Sequence, residues 1–213
     1  MKTCLVILLV LLTAAATLAA EIAVGRFSSG DLSGWRNEPF KKKAKTAYSL
    51  VTEGGRTVLK AHSSNAASGL LKKVELDPKK YPRLRWSWKV EQTLKREDVT
   101  KKSGDDFAAR VYVVFPGTFF WQTRALNYVW AARLPKGSMV PSPYTGNAII
   151  VAVESGEEKS GSWVSEERNI YEDYKRAFGE EPPRLGAVAV MTDTDDTGDE
   201  VTAWYGDVTL ASP

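Results

Sequence analysis

The sequence predicts an all-β protein, an antiparallel β-sandwich of jelly-roll form carrying one short helix. Three observations lead there. Residues 84–90, LRWSWKV, put Leu84, Trp86, Trp88 and Val90 on one face and Arg85, Ser87 and Lys89 on the other. Period two with that contrast marks a half-buried strand of an antiparallel sheet. Short apolar or β-branched runs recur along the chain between Gly, Pro and Asp punctuation, without βαβ alternation. Only residues 169–179 have helical spacing.

Residues 21–35 read as a strand, a Gly/Ser/Asp turn and an aromatic plug of Phe27 with Trp35. Residues 48–51 and 57–61 form a hairpin about Glu53-Gly54-Gly55-Arg56, because Gly-Gly adopts positive φ without steric cost. A third run covers residues 68–76. Residues 94–104 are charged and aperiodic, which predicts a solvated loop. In residues 107–115, FAARVYVVF, the alternation places Phe107, Ala109, Val111, Val113 and Phe115 together and Arg110 opposite with Tyr112 and Val114. Residues 125–132 form a strand with Tyr128 and Trp130 on one face; residues 135–146 read as a long loop containing Tyr144; residues 148–153 form a buried strand. In residues 169–179, Ile170, Tyr174 and Phe178 recur every four positions. Asn169 with Glu172 forms a cap, Gly179 a stop, and Pro182-Pro183 forbids continuation. Residues 187–210 close the chain as apolar strand, acidic turn and a second strand bearing Trp204 and Tyr205.

Residues 1–20 have the layout of a secretory signal peptide: Lys2, an apolar run at residues 5–12, then small residues to Ala20. The run is shorter than the roughly 20 apolar residues of a membrane span. The expectation is a periplasmic or secreted protein with no transmembrane span after cleavage, its residues 21–213 forming a single β-sandwich domain. Cys4 is the only cysteine, so the mature chain has no disulfide, thiol nucleophile or zinc–thiolate site. His62 is the only histidine, so multi-histidine metal sites are excluded; it reads as a hydrogen-bonded strand-end or loop residue, with a lone acid or base as the alternative. With 29 basic against 26 acidic residues the net charge is +3, and nucleic acid is not an expected partner. The basic run KKKAK at residues 41–45 reads as a solvated face.

Arg110 between apolar neighbours needs a carboxylate, since an unpaired buried charge is costly. Asp105, Asp106 and the C-terminal acidic cluster are its candidate partners. In that cluster Asp193, Asp195, Thr197 and Asp199, with Gly198 at the sixth position, match half of a calcium loop. Thr197 at the fifth position and Trp204 at the twelfth depart from it. Ca2+ held by those four residues is therefore one expectation; the alternatives are a solvent-facing hairpin turn, or carboxylates spent pairing Arg110 and a neighbouring basic residue. The expected ligand-binding centre is Arg110, Asn127, Asp193, Asp195, Asp196 and Trp204: carboxylates for hydroxyls or calcium, Arg110 to orient them, Trp204 to stack. Trp121, after Pro116-Gly117, is expected at an exposed loop tip. Three functions fit these residues. The first, taken as the expectation, is an exported non-catalytic binding module for a glycan or cell-envelope component. The others are a carbohydrate-active hydrolase using the Asp carboxylates and an envelope structural or assembly protein.

The motifs Leu84-x-Trp86-x-Trp88, Gly104-Asp105-Asp106-Phe107-Ala108-Ala109-Arg110, Leu126-Asn127-Tyr128-x-Trp130 and Met191-Thr192-Asp193-Thr194-Asp195-Asp196-Thr197-Gly198, followed by Ala203-Trp204-Tyr205-Gly206-Asp207, span most of the chain. In them the sequence resembles an exported bacterial family known as domain of unknown function 3047. The resemblance implies location and fold and carries no assigned activity. In outline the layout is also similar to galactose-binding-like, carbohydrate-binding jelly rolls.

Overall fold

A computed structural model describes residues 20–213; the expected signal peptide, apart from Ala20, lies outside the described residues. Thirteen strands and one α-helix follow in order: β1 Glu21–Gly25, β2 Trp35–Pro39, β3 Ala47–Glu53, β4 Arg56–Ser64, β5 Ser68–Leu76, β6 Arg83–Val90, β7 Ala109–Phe115, β8 Arg124–Ala131, β9 Met139–Ser142, β10 Thr145–Ser155, β11 Val164–Asn169, α1 Ile170–Phe178, β12 Leu185–Met191 and β13 Glu200–Ala211. They build two facing sheets, the all-β sandwich with one short helix that the patterning predicts. One sheet runs β11-β6-β13-β4-β3, with β1 on the far half of β13; the other runs β2-β5-β12-β7-β8-β10-β9. All pairings are antiparallel except β10 with β8.

The inner faces are the alternating apolar sets. Leu84, Trp86, Trp88 and Val90 of β6 are at most 3% exposed. Trp88 stands edge-on to Trp86 at 5.3 Å and meets Trp130 of the opposite sheet at 6.0 Å, while Trp86 meets Tyr128 at 5.5 Å. These four rings carry much of the inter-sheet packing. The β3–β4 turn is the two-residue Gly54-Gly55 turn with φ of 55° and 78°, the both-positive geometry that matches strand twist. In α1, Asn169 accepts from the Glu172 N–H at 3.1 Å, Gly179 closes the helix at φ 72°, and Tyr174 packs on Phe115 and Phe178.

Several expectations need correction. Residues 187–210 are not a hairpin: β12 lies between β5 and β7 in one sheet, β13 between β6 and β4 in the other, so the acidic segment crosses the sandwich. Phe107 does not join the Ala109–Phe115 face, because the strand begins at Ala109; it packs with Val129, Ala131, Ile150 and Ala152 on the outer side of the sheet. Residues 135–146 contain β9, an edge strand that tolerates Pro141 because an edge leaves one side of the ladder unpaired. The strand β11 was not anticipated; it is a polar edge strand paired with β6, its Glu167 bridging Arg83 and Arg85.

Residues 94–104 are anchored rather than solvated. Leu94 is in the core, and Glu97 is 2% exposed. The Glu97 carboxylate accepts the Ala132 N–H at 2.7 Å, and its carbonyl accepts from Arg133 at 3.2 Å. Burial raises this carboxyl from 4.5 to about 7, against the pull of the Ala132 and Arg133 backbone N–H groups. A raised folded-state pKa means that stability from this group is complete below the unfolded value and is lost as pH rises through the folded one. Stability measured by urea denaturation should therefore decline between about pH 4.5 and 7, and Glu97→Gln should flatten that decline. Some slope remains in the variant, because burial also raises Glu166 to about 7. An identical profile in the variant would show that Glu97 does not titrate in this window.

Candidate functional site

The alternation of β7 sends Ala109, Val111 and Val113 inward and leaves Arg110 and Tyr112 on the outer face of the seven-stranded sheet. There Arg110 is 3% exposed, covered by the approach to β7 and by the segment that joins β12 to β13. All five of its N–H donors are engaged. Nε donates to Asp193 Oδ1 at 2.7 Å, and Nη2 donates to Asp193 Oδ2 and to the Asp105 carbonyl. Nη1 donates to Asp105 Oδ1 at 3.2 Å and to the Tyr112 hydroxyl at 3.1 Å. The guanidinium also lies 4.5 Å from the Phe107 ring centroid. Burial works against the charge, but Asp193, Tyr112 and Asp105 hold the Arg110 pKa well above its ordinary value. Burial likewise pushes the Tyr112 hydroxyl up to about 12, against the pull of Arg110.

Neighbouring hydrogen bonds tie this network to both sheets. The Arg110 N–H donates to the Tyr205 hydroxyl at 3.3 Å, and that hydroxyl donates to the Met191 carbonyl at 2.6 Å. Ser142 of β9 donates to Asp105 Oδ2 at 3.0 Å. Thr192 donates to the Ala108 carbonyl at 2.9 Å, and the Thr194 N–H to that of Ala66 at 2.9 Å.

Above this floor opens a cavity of about 430 Å3. At its mouth the Lys43 ammonium lies 2.5 Å from Asp195 and 3.5 Å from Asp196, and Tyr144 donates to Asp196 Oδ2 at 2.6 Å. The Asp195 contact raises the Lys43 pKa. Phe40 and Tyr144 flank the mouth at 51% and 52% exposed, with Lys102 at 5.2 Å from the Tyr144 ring centroid. Asp106 lies behind, fully buried; its Oδ2 accepts the N–H groups of Asp196 and Thr197 at 2.9 and 2.6 Å, and its Oδ1 has no partner. Burial raises its pKa.

Residues 33–209 match the family described as "Protein of unknown function (DUF3047)". The chain belongs to this family. No curated protein matches it. Among solved structures, the family 30 carbohydrate-binding module of a cellulosomal cellulase from Clostridium thermocellum aligns at 10% identity and TM-score 0.49, over 91% of this chain and 98% of that one. A mutant of the CBM29-2 carbohydrate-binding module complexed with mannohexaose aligns at 10% identity and TM-score 0.45, over 92% and 93%. Both likenesses are distant and bear on neither ligand nor site.

In this DUF3047 member the structure gathers four of the six expected binding residues, Arg110, Asp193, Asp195 and Asp196, around one cavity. Asn127 lies opposite Tyr112 in β8, 2% exposed, with its Oδ1 unpartnered and its side chain off the cavity wall. Trp204 is elsewhere: it faces outward from the six-stranded sheet, beneath the Lys89 ammonium at 4.1 Å. The four expected calcium ligands are also divided. Asp193 is bound by Arg110, and Asp199 accepts from Arg96 at 2.9 Å. Thr197 Oγ1 faces the Asp199 N–H at 3.4 Å. Asp106, Asp195 and Asp196 instead bring oxygens within 4.8 Å of one another, with Lys43 as the adjacent cation. His62 sits on β4 beside Thr202 at 3.2 Å, as a hydrogen-bonded strand residue. Lys43, Phe40 and Tyr144 were not anticipated; the KKKAK run was the only signal for the first, and nothing local marks the other two.

Arg110→Met leaves two buried carboxylates uncompensated and should cost about 3–5 kcal/mol in chemical denaturation. The double variant Arg110→Met/Asp193→Leu should recover part of that loss, because the orphaned charge goes with its partner. Purely additive losses would show that the pair is not coupled.

Proposed function

We propose that the chain is an exported, non-catalytic binding module that takes a glycan in the cleft of the seven-stranded sheet. One observation carries the reading: a cavity with a rigid, fully hydrogen-bonded polar floor has two half-exposed aromatic rings and two ion-paired carboxylates at its mouth. Sugars present apolar C–H faces to rings and hydroxyls to carboxylates, so this is a matching set. The signal-peptide layout of residues 1–20 supports export to the periplasm or beyond. Among the described residues no helix is long and apolar enough to cross a membrane.

The non-catalytic part of this reading is supported by how the carboxylates of the acidic cluster are used. Glycoside hydrolysis needs an acid and a base, or an acid and a nucleophile, facing each other across the scissile bond. Asp193 is bound on both oxygens by Arg110, and Asp106 is fully buried. Asp195 and Asp196 share one Lys43 ammonium on one side of the mouth. Of the four residues expected to hold calcium, Asp195 has that ammonium beside it.

Screening the purified mature protein against a broad glycan panel, with calcium and again with chelator, tests the reading. Binding is expected in both conditions, and Asp195→Asn/Asp196→Asn should weaken it by about tenfold or more with the fold intact. Binding that disappears with chelator would restore the metal. Polysaccharide turnover abolished by Asp195→Asn would make the protein a hydrolase, and an absence of glycan binding would point to an envelope structural role.

A further inference from the structure

Among the described residues the large hydrophobics recorded as exposed are all aromatic: Phe40, Phe119, Phe120, Trp121 and Tyr144, between 51% and 84% exposed. Phe40 and Tyr144 flank the cleft. The other three form the tip between β7 and β8, inside a stretch, residues 116–123, that carries no charge. The tip is tightly built. A Cβ at Gly117 would fall 2.4 Å from the Gln122 Cβ and 2.8 Å from its carbonyl carbon, so the loop base closes only on glycine. Gln122 accepts the Phe119 N–H at 3.1 Å and donates its own N–H back to the Phe119 carbonyl at 2.9 Å. The Phe119 and Trp121 rings lie parallel, 1° apart in plane and 4.7 Å between centroids, and Phe120 meets Trp121 edge-on.

The tip joins the cleft through the start of β10. Asn147 donates to the Trp121 carbonyl at 2.7 Å. Thr145 and Ala148 line the cleft, whereas Asn147 and Trp121 line a second hollow of about 510 Å3. The two hollows therefore adjoin across residues 145–148, a span of about 10 Å of extended chain. The second hollow also presents Gln122 and the Arg124–Glu180 ion pair.

We propose that the binding site continues from the acidic cleft over residues 145–148 to the Phe119–Trp121 platform, and that its ligand is a linear oligosaccharide chain rather than a single terminal sugar. This rests on the glycan reading of the cleft. Two aromatic stations separated by hydrogen-bonding groups suit successive units of one chain, each with an apolar face and a hydroxyl edge. A lipid surface fits less well, because hydrocarbon around the tip would desolvate Gln122, Asn147 and the Arg124–Glu180 pair without replacing their hydrogen bonds.

The experiment is calorimetric titration of the mature protein with one glycan backbone from the panel, supplied from disaccharide to hexasaccharide. Wild-type affinity should rise about tenfold or more across that series. Phe119→Ala/Trp121→Ala, at exposed positions, should remove the gain and leave disaccharide binding unchanged. Equal affinity for short and long chains would overturn the extended site while leaving the cleft as a glycan site, and loss of disaccharide binding in the variant would overturn both, because it would move the glycan site from the cleft to the tip. No binding at any length would remove both. Co-sedimentation with phosphatidylcholine–phosphatidylglycerol vesicles that vanishes in the same variant would assign the tip to a membrane surface and overturn the proposal.

Discussion

A guanidinium buried to 3% exposure is the constraint around which the cleft side of the sandwich is arranged. Such a charge is tolerable only if each donor finds an acceptor of fixed position. Its acceptors come from two distant parts of the chain: Asp105 and Tyr112 at β7, and Asp193 in the segment between β12 and β13. Meeting that requirement fixes where the acidic segment crosses from one sheet to the other. Tyr205 reaches into the same network from the centre of the six-stranded sheet, so both layers are registered on one polar centre.

On the proposed reading, the same constraint also prepares the binding surface. Once Asp193 and Asp105 are spent inward, the following carboxylates, Asp195 and Asp196, are held at the rim by a backbone that Asp106 pins through two N–H groups. Lys43 and Tyr144 fix their side chains. A ligand entering there meets groups already ordered, so little rotamer entropy remains to be lost on binding. Division of labour along one acidic run, inner residues for structure and outer ones for contact, follows from the point at which the chain leaves the core.

Much of the fold was legible because period-two patterning reports burial directly. Residues 84–90, the Gly54-Gly55 hairpin and the capped helix of residues 169–179 are local signals of local structure. The edge strands β9 and β11 were not legible, since a strand paired on one side and largely exposed has no apolar face to alternate. The need of Arg110 for carboxylates was also readable, from burial cost alone. Which carboxylates serve it was not, because Asp193 and Asp106 differ by the path of the chain and not by composition. The calcium-loop spacing meets a related limit: alternation along a sequence implies convergence only if the segment wraps a single centre, and here Asp193 and Asp199 turn to different arginines.

Trp204 shows the limit of grouping residues by proximity in sequence. It lies five residues beyond Asp199, yet strand alternation sends Tyr205 into the core and Trp204 to the opposite surface of the sandwich. There it is half-buried beneath Lys89, whose ammonium is bonded to Glu53, and the nearby Trp163 lies under Arg56 at 4.7 Å. Asp207, on the same face, is bound by the Ser28 N–H at 2.8 Å. On that side Lys89 and Arg56 lie over the Trp204 and Trp163 rings, and one Glu53 oxygen, Oε2, has no partner. The more exposed aromatic rings lie instead on the seven-stranded side and its tip. Exposure of the rings, rather than the number of tryptophans, therefore distinguishes the two sides of the sandwich.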